Sequence, residues 1–211
     1  LRVNPPIKRP GAVLKSNKPW DAFRLIYFSM AKDGDRYKMW YQAFDDDQWS
    51  RGVSRMCYAV SKDGLRWEKP NLGLVEYKGS KDTNILLREP SKLGYVFIDP
   101  VDKPERRYKM LSGIGTTRIR TSPDGIHWKL HPQVVWKPVW DTQKQVWWDA
   151  RIKKYVIQTR VEFHKQNELP FPFVKPIKSD PPVVAPKLHR PIRALGRLEV
   201  DDIMQPWPTH E

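Results

Sequence analysis

Few residues in this chain have the type and spacing for metal binding or nucleophilic chemistry. His127 and His131 stand four residues apart, the spacing at which two imidazoles on one helix face hold a zinc ion. Pro132 follows directly in a stretch that reads as strand, so the two are expected at the surface, with no metal site. Cys57 is the single cysteine. It lies in the apolar run Met56-Cys57-Tyr58-Ala59-Val60 and is expected in the core rather than as a nucleophile. One cysteine also excludes an intramolecular disulfide scaffold and a multi-cysteine zinc site. No glycine-rich phosphate loop, nucleophile elbow or cysteine–histidine pairing is present. No cofactor is expected, and structural calcium has no motif here.

The elements that must position any site are carried by a chain of 211 residues with 38 Lys+Arg against 24 Asp+Glu, a formal charge of +14. Apolar residues make up 39% and aromatics 12%, enough to bury a core despite 20 prolines. No run approaches the roughly 18 apolar residues of a membrane helix, so no membrane partner is expected. The positive charge suits a polyanionic partner, but there is no run of five Lys/Arg, so nucleic acid is not expected either. The chain begins at Leu1 rather than Met, which reads as a processed N-terminus.

The reading is β almost throughout. Arg36–Phe44, Met56–Val60, Tyr95–Ile98 and Tyr155–Arg160 have the composition and length of strands. Asp33-Gly34, Asp63-Gly64 and Asp124-Gly125 supply the positive φ of tight turns. An internal repeat points to the architecture. Arg36-Tyr37-Lys38-Met39 recurs as Arg107-Tyr108-Lys109-Met110, and each copy leads to Ser-x-Asp-Gly-x-x-Trp, ending at Trp67 and Trp128. A weaker third copy runs from Lys154-Tyr155-Val156 to Asp201-Asp202 and Trp207. The unit is one four-stranded antiparallel sheet, the size of a propeller blade. In it Asp63 and Asp124 hold turns and Trp67 and Trp128 pack between sheets.

The fold class is therefore expected to be all-β. A single β-propeller domain over residues 1–211 is expected, with blades at 18–78, 82–137 and 140–208. Residues 164–193, with seven Pro and six Lys/Arg, read as a basic insertion loop. Three blades do not close a ring of about four to eight, so the domain is expected either to be part of a longer one, the favoured reading, or to assemble with another copy.

Several segments resemble the five-bladed propeller glycoside hydrolases, of the family 32 N-terminal-like and family 43-like kind. They are Lys18-Pro19-Trp20-Asp21, Tyr37–Tyr41, Cys57–Pro70, Thr83–Leu86, Phe97-Ile98-Asp99-Pro100, Trp148-Asp149-Ala150-Arg151 and Arg193–Glu199. The resemblance implies a glycoside hydrolase acting on a poly- or oligosaccharide in an axial funnel, secreted or periplasmic. Its alternative is a non-catalytic propeller that binds carbohydrate or protein. Glycoside hydrolysis needs one carboxylic acid for the leaving oxygen and a second carboxylate as nucleophile or base.

On that resemblance the catalytic candidates are Asp21, Asp99 and Asp149, at the opening of the first blade and on the first strands of the next two. Asp99-Pro100 is similar to the Asp-Pro dipeptide of families 32 and 43, although Ile98 stands where family 32 keeps an arginine. Asp21 is carried over by position only. Trp20, Trp148 and Glu199 are the candidates for substrate binding. The plainer reading makes Asp99 a turn residue, Asp149 half of a surface ion pair with Arg151, and the aromatics packing.

Overall fold

The computed structural model describes residues 10–46, 54–87, 94–113, 116–136, 142–163 and 192–208. Eleven strands lie among them: β1 (Arg24–Asp33), β2 (Arg36–Phe44), β3 (Arg55–Ser61), β4 (Ile85–Leu87), β5 (Tyr95–Ile98), β6 (Tyr108–Ser112), β7 (Thr117–Ser122), β8 (Lys129–Trp136), β9 (Gln145–Asp149), β10 (Lys154–Phe163) and β11 (Ile192–Val200). The only helical elements among the described residues are 3-10 turns at Pro19–Asp21 and Pro104–Arg106. The strands form three sheets in chain order: β1-β2-β3-β4, β5-β6-β7-β8, and the three-stranded β9-β10-β11. Every neighbouring pair is antiparallel. The fold is all-β and propeller-like.

The repeated Arg-Tyr-Lys-Met stretch opens the second strand of the first two sheets, and Lys154-Tyr155-Val156 opens that of the third. Two expected boundaries move. Ile85–Leu87 bonds to β3 and completes the first sheet, so the second begins at Tyr95 rather than at residue 82. After Trp67 the chain leaves the sheet, bonded through Glu68 to Val60, and packs Val75 and Tyr77 on the sheet's outer face before returning through Asn84 to β4. Ile192 and Arg193 belong to β11 rather than to the insertion, and residues 164–191 lie outside the described residues.

Alternation along β2 decides what each face meets. Met39, Tyr41 and Ala43 join Trp20, Cys57 and Ile85 on the outer face of the first sheet. Trp40 points the other way and meets Tyr58, Tyr108 and Met110 between the first and second sheets. Leu111, Ile119, Val146, Ile157 and Leu198 fill the space between the second and third. Cys57 is in the core, and burial pushes its thiol pKa up.

The first strands of the sheets approach one another, β1 beside β5 and β5 beside β9. The Val96 N–H donates to Ser29 Oγ across the first of these gaps at 3.0 Å. Aspartate-anchored turns close one end of the sheets. Asp63 Oδ1 accepts the N–H groups of Leu65 and Arg66, both at 2.8 Å. Asp124 Oδ1 accepts those of Ile126 and His127 at 2.8 and 2.9 Å. In the third copy Asp202 takes this part, accepting from Met204 N–H at 2.8 Å. At the opposite end β1, β3, β5, β7, β9 and β11 begin.

Candidate functional site

Asp33, Asp99 and Asp149 occupy one structural position, where the first strand of each sheet ends. Two of the three follow a common bonding rule. Lys38, on the second strand of the first sheet, donates to Asp33 Oδ2 at 2.8 Å, and Tyr108 of the next sheet donates to the same oxygen. Lys109, on the second strand of the second sheet, pairs with Asp99 Oδ2 at 2.6 Å, and Tyr155 of the third sheet donates to it at 2.7 Å. Each aspartate is thus held by the lysine of its own sheet and the tyrosine of the next, which stitches neighbouring sheets together.

Asp99 is 2% exposed and Lys109 not at all. Lys109 also reaches Asp102 Oδ2 at 2.5 Å, and Val101 N–H donates to Asp99 Oδ1 at 3.1 Å. Burial, and then the Asp99 hydrogen bond, push the Tyr155 hydroxyl above its ordinary pKa. Burial works against ionisation of Asp33, but hydrogen bonds from Arg107, Lys38 and Tyr108 outweigh it and hold that carboxyl well below the usual range.

Asp149 departs from the rule because Val156 stands where the other sheets carry lysine. Arg151 takes over, its Nε on Oδ1 at 3.0 Å, its NH2 on Oδ2 at 2.6 Å and its backbone N–H on Oδ1 at 3.0 Å. The guanidinium lowers the Asp149 pKa to about 2. Trp148 sets its ring edge-on to Tyr155 at 4.9 Å, so Asp99 and Trp148 meet through Tyr155 while the Asp149 carboxylate turns to Arg151.

Asp21 sits elsewhere. It is fully buried on the outer face of the first sheet, with Oδ1 accepting from Asn17 N–H at 3.1 Å and Lys18 N–H at 2.9 Å. Its Oδ2 pairs with the buried Lys69, which also donates to Lys15 O at 2.7 Å and Asn17 Oδ1 at 2.8 Å. Trp20 is buried beside it and donates through Nε1 to Asn84 Oδ1 at 2.8 Å. Glu199 lies on β11, furthest from the first strand of its sheet, and pairs with Arg197 at 2.8 Å. The three catalytic candidates share no partner among the described residues. His127 Nδ1 lies 2.7 Å from Asp124 Oδ2, and His131 Nδ1 accepts from Gln133 N–H at 3.3 Å.

This sheet order has counterparts of known structure. No family model matches the chain, and no curated protein matches it. A structure described as a glycoside hydrolase aligns over 88% of this chain and 56% of its own, at 12% identity and a TM-score of 0.57. A glycosyl hydrolase from Bacteroides ovatus aligns over 88% and 50%, at 18% identity and a TM-score of 0.53. The structure of a BT0996 RGII complex aligns over 92% and 59%, at 12% identity and a TM-score of 0.57. The chain shares its fold with these proteins. It spans between 50% and 59% of their length, and at these identities the likeness is one of fold alone.

Lys109, Tyr155 and Lys69 surround the candidate aspartates and the sequence alone does not single them out, whereas Arg151 is the partner that the plainer reading of the sequence gives Asp149. For two of them it does hold a signal. The repeat that marks a second strand, Arg-Tyr-Lys-Met, also carries the lysine and tyrosine that bind the aspartates. Among the described residues, no helix is long and apolar enough to cross a membrane.

Proposed function

We propose that this chain is a carbohydrate-active propeller of the glycoside hydrolase kind, acting on a poly- or oligosaccharide through carboxylate acid/base chemistry. One observation carries this reading. Three antiparallel sheets set their first strands side by side, in an arrangement that glycoside hydrolase structures match over 88% of the chain. Asp99 and Asp149, at the ends of two such strands, are the carboxylates proposed for the chemistry, with Asp21 the third candidate. A pKa of about 2 leaves Asp149 ionised at neutral pH. That fits a nucleophile, a base or an electrostatic stabiliser and not the proton donor, which must stay protonated until it acts. Trp148, packed on the Tyr155 that binds Asp99, is the aromatic side chain proposed to meet a sugar ring, and a secreted or periplasmic location fits a polysaccharide substrate.

A non-catalytic carbohydrate-binding propeller is the second reading, favoured by the full engagement of the Asp21, Asp99 and Asp149 oxygens with protein donors. Release of reducing sugar from a polysaccharide panel by the wild type and by Asp21→Asn, Asp99→Asn and Asp149→Asn separates the two. The enzyme reading expects sugar release that falls at least about a hundredfold in Asp149→Asn at an unchanged melting temperature. Binding without release supports the second reading. Neither binding nor release would sink both.

A further inference from the structure

Each sheet has one face built to lie against the sheet before it. Tyr37, Tyr108 and Tyr155 are counterparts on the second strands, and Met39, Met110 and Ile157 follow them two residues on. Met30, Val96 and Val146 of the first strands stand opposite those three. In the second sheet Val96, Tyr108 and Met110 pack with Trp40 and Tyr58 of the first. In the third, Val146, Tyr155 and Ile157 pack with Leu111 and Ile119 of the second. The first sheet carries the same set on its outer face, with no sheet before it among the described residues. Trp20, Val75 and Tyr77 cover the side of that face nearer β3 and β4. The side along β1 stays open: Met30 is 59% exposed where Val96 is 2%, and Phe28, stacked on Tyr41, is exposed too. Leu65, the counterpart of Ile126 in the turn repeat, is likewise exposed.

The second observation is Tyr37. Tyr108 and Tyr155 each donate to the aspartate of the preceding sheet, Asp33 and Asp99. The Tyr37 hydroxyl makes no hydrogen bond among the described residues. Lys32, exposed and paired with no carboxylate among the described residues, holds its ammonium 5.6 Å from the centre of the Tyr37 ring. This face therefore offers a hydroxyl and a cation to an aspartate at the end of another sheet's first strand. The third sheet presents the complement at the other end of the row. Trp147 stands where the second sheet has Phe97, and is 36% exposed against 7%. Val156 replaces the lysine that pairs with Asp99. Asp149 Oδ2 holds one side-chain donor, Arg151, where Asp99 Oδ2 holds two.

We infer that the outer face of the first sheet is an interface for the outer face of the third sheet of a second copy of this chain, with Tyr37 donating to the copy's aspartate at position 149 and Lys32 supplying the missing cation. The contact is head-to-tail. Made twice, it brings six sheets together, within the four to eight that close a propeller, so two copies form a closed ring. The interface does not depend on the carbohydrate reading above.

Sedimentation velocity of the full chain over a concentration series tests this, with far-ultraviolet circular dichroism to check that each variant keeps its strands. The wild type is expected to dimerise. Met30→Asp and Trp147→Asp each put a charge into the contact and give monomers, although the two positions lie on different sheets. Mixing these two variants restores a dimer, because the intact Trp147 face of one chain meets the intact Met30 face of the other. Tyr37→Phe keeps the ring and removes one hydrogen bond from each of the two contacts. It weakens dimerisation by about a hundredfold, tenfold for each bond at about 1.4 kcal/mol. A wild type that stays monomeric at every concentration overturns the proposal. A dimer that Trp147→Asp leaves intact overturns it as well, since two first sheets would then be paired, and so do open oligomers longer than a dimer. None of these outcomes alters the sugar-release test of the carbohydrate reading.

Discussion

Lys144 shows how one residue's solvation can govern stability. It is 3% exposed, and among the described residues it meets the Trp136 ring and no carboxylate. Burial lowers its pKa from 10.5 to about 8. Below pH 8 both folded and unfolded chains carry the charge, and the folded state bears its full desolvation cost. As pH rises from 8 toward 10.5 the folded lysine loses its proton first, the unfolded state binds more protons, and stability increases. Lys144→Met is therefore expected to stabilise the protein at pH 7, on the order of 3 kcal/mol, with the gain fading by about pH 10. Urea unfolding at both pH values checks this, and a gain independent of pH would mean that the methionine acts through packing alone. Nothing local in Gln143-Lys144-Gln145 marks the middle residue as buried, because that depends on where Trp136 of another sheet lands. Asp99 differs: Asp-Pro after an apolar strand locates a turn, but Lys109 and Tyr155, which bury its charge, lie on two different sheets.

At the scale of elements, the turn after β7 is bound into its neighbour more tightly than its twin after β3. Trp40 of the first sheet donates through Nε1 to Gly125 O at 2.7 Å. Trp67 makes the matching bond within its own turn, to Gly64 O at 3.0 Å, while Trp128 Nε1, its counterpart in the second copy, is buried with no partner among the described residues. The close approach of Trp40 requires glycine, since a Cβ at Gly125 would lie 2.6 Å from Trp40 Cζ2 and 3.2 Å from Tyr108 Cε1. At Gly64 the nearest atom would be 3.8 Å away. Both glycines have positive φ, 81° and 73°. Gly64→Ala is thus expected to cost about 1 kcal/mol from backbone strain, and Gly125→Ala about 2–4 kcal/mol because overpacking adds to it. Equal losses in thermal unfolding would show that the interface yields to the methyl group. The repeat makes both turns legible because Asp-Gly chemistry is local. The boundary between the first two sheets is not legible, because β4 has three residues and returns to β3 after a long excursion over the outer face. Periodicity cannot mark so short a strand.

At the scale of the whole molecule, the described residues form three sheets in a row, and acid stability depends on charges that join them. Arg107 forks onto Asp33 with bonds of 3.0 and 2.7 Å, and Lys38 and Tyr108 complete the contact between the first and second sheets. The carboxyl of Asp33 is held far below its ordinary 3.8, and Asp63 lies at about 2, chiefly through backbone N–H groups of its own turn. A carboxylate with a depressed folded pKa contributes stability that is present above its unfolded pKa and is lost as pH falls through the folded one. Stability is therefore expected to hold from neutrality to about pH 4 and then to fall steadily toward pH 2. The formal charge of +14 adds self-repulsion as carboxylates are neutralised. Two carboxylates with the same direction of shift can be told apart by where they sit. Asp63→Asn removes one turn's anchor. Asp33→Asn leaves Arg107 and Lys38 facing each other across a sheet contact without their counter-charge. Because this site is partly open to solvent, the loss at pH 7 is on the order of 2 kcal/mol rather than the larger cost of a fully buried charge. The variant should also lose less on acidification, since the group that would have titrated is gone. Denaturant midpoints at pH 7, 4 and 2.5 test both parts. A variant that loses stability at pH 7 but keeps the wild-type acid slope would move the acid sensitivity to other carboxylates that the fold holds low, Asp124 with its turn N–H groups and His127 being the first to examine.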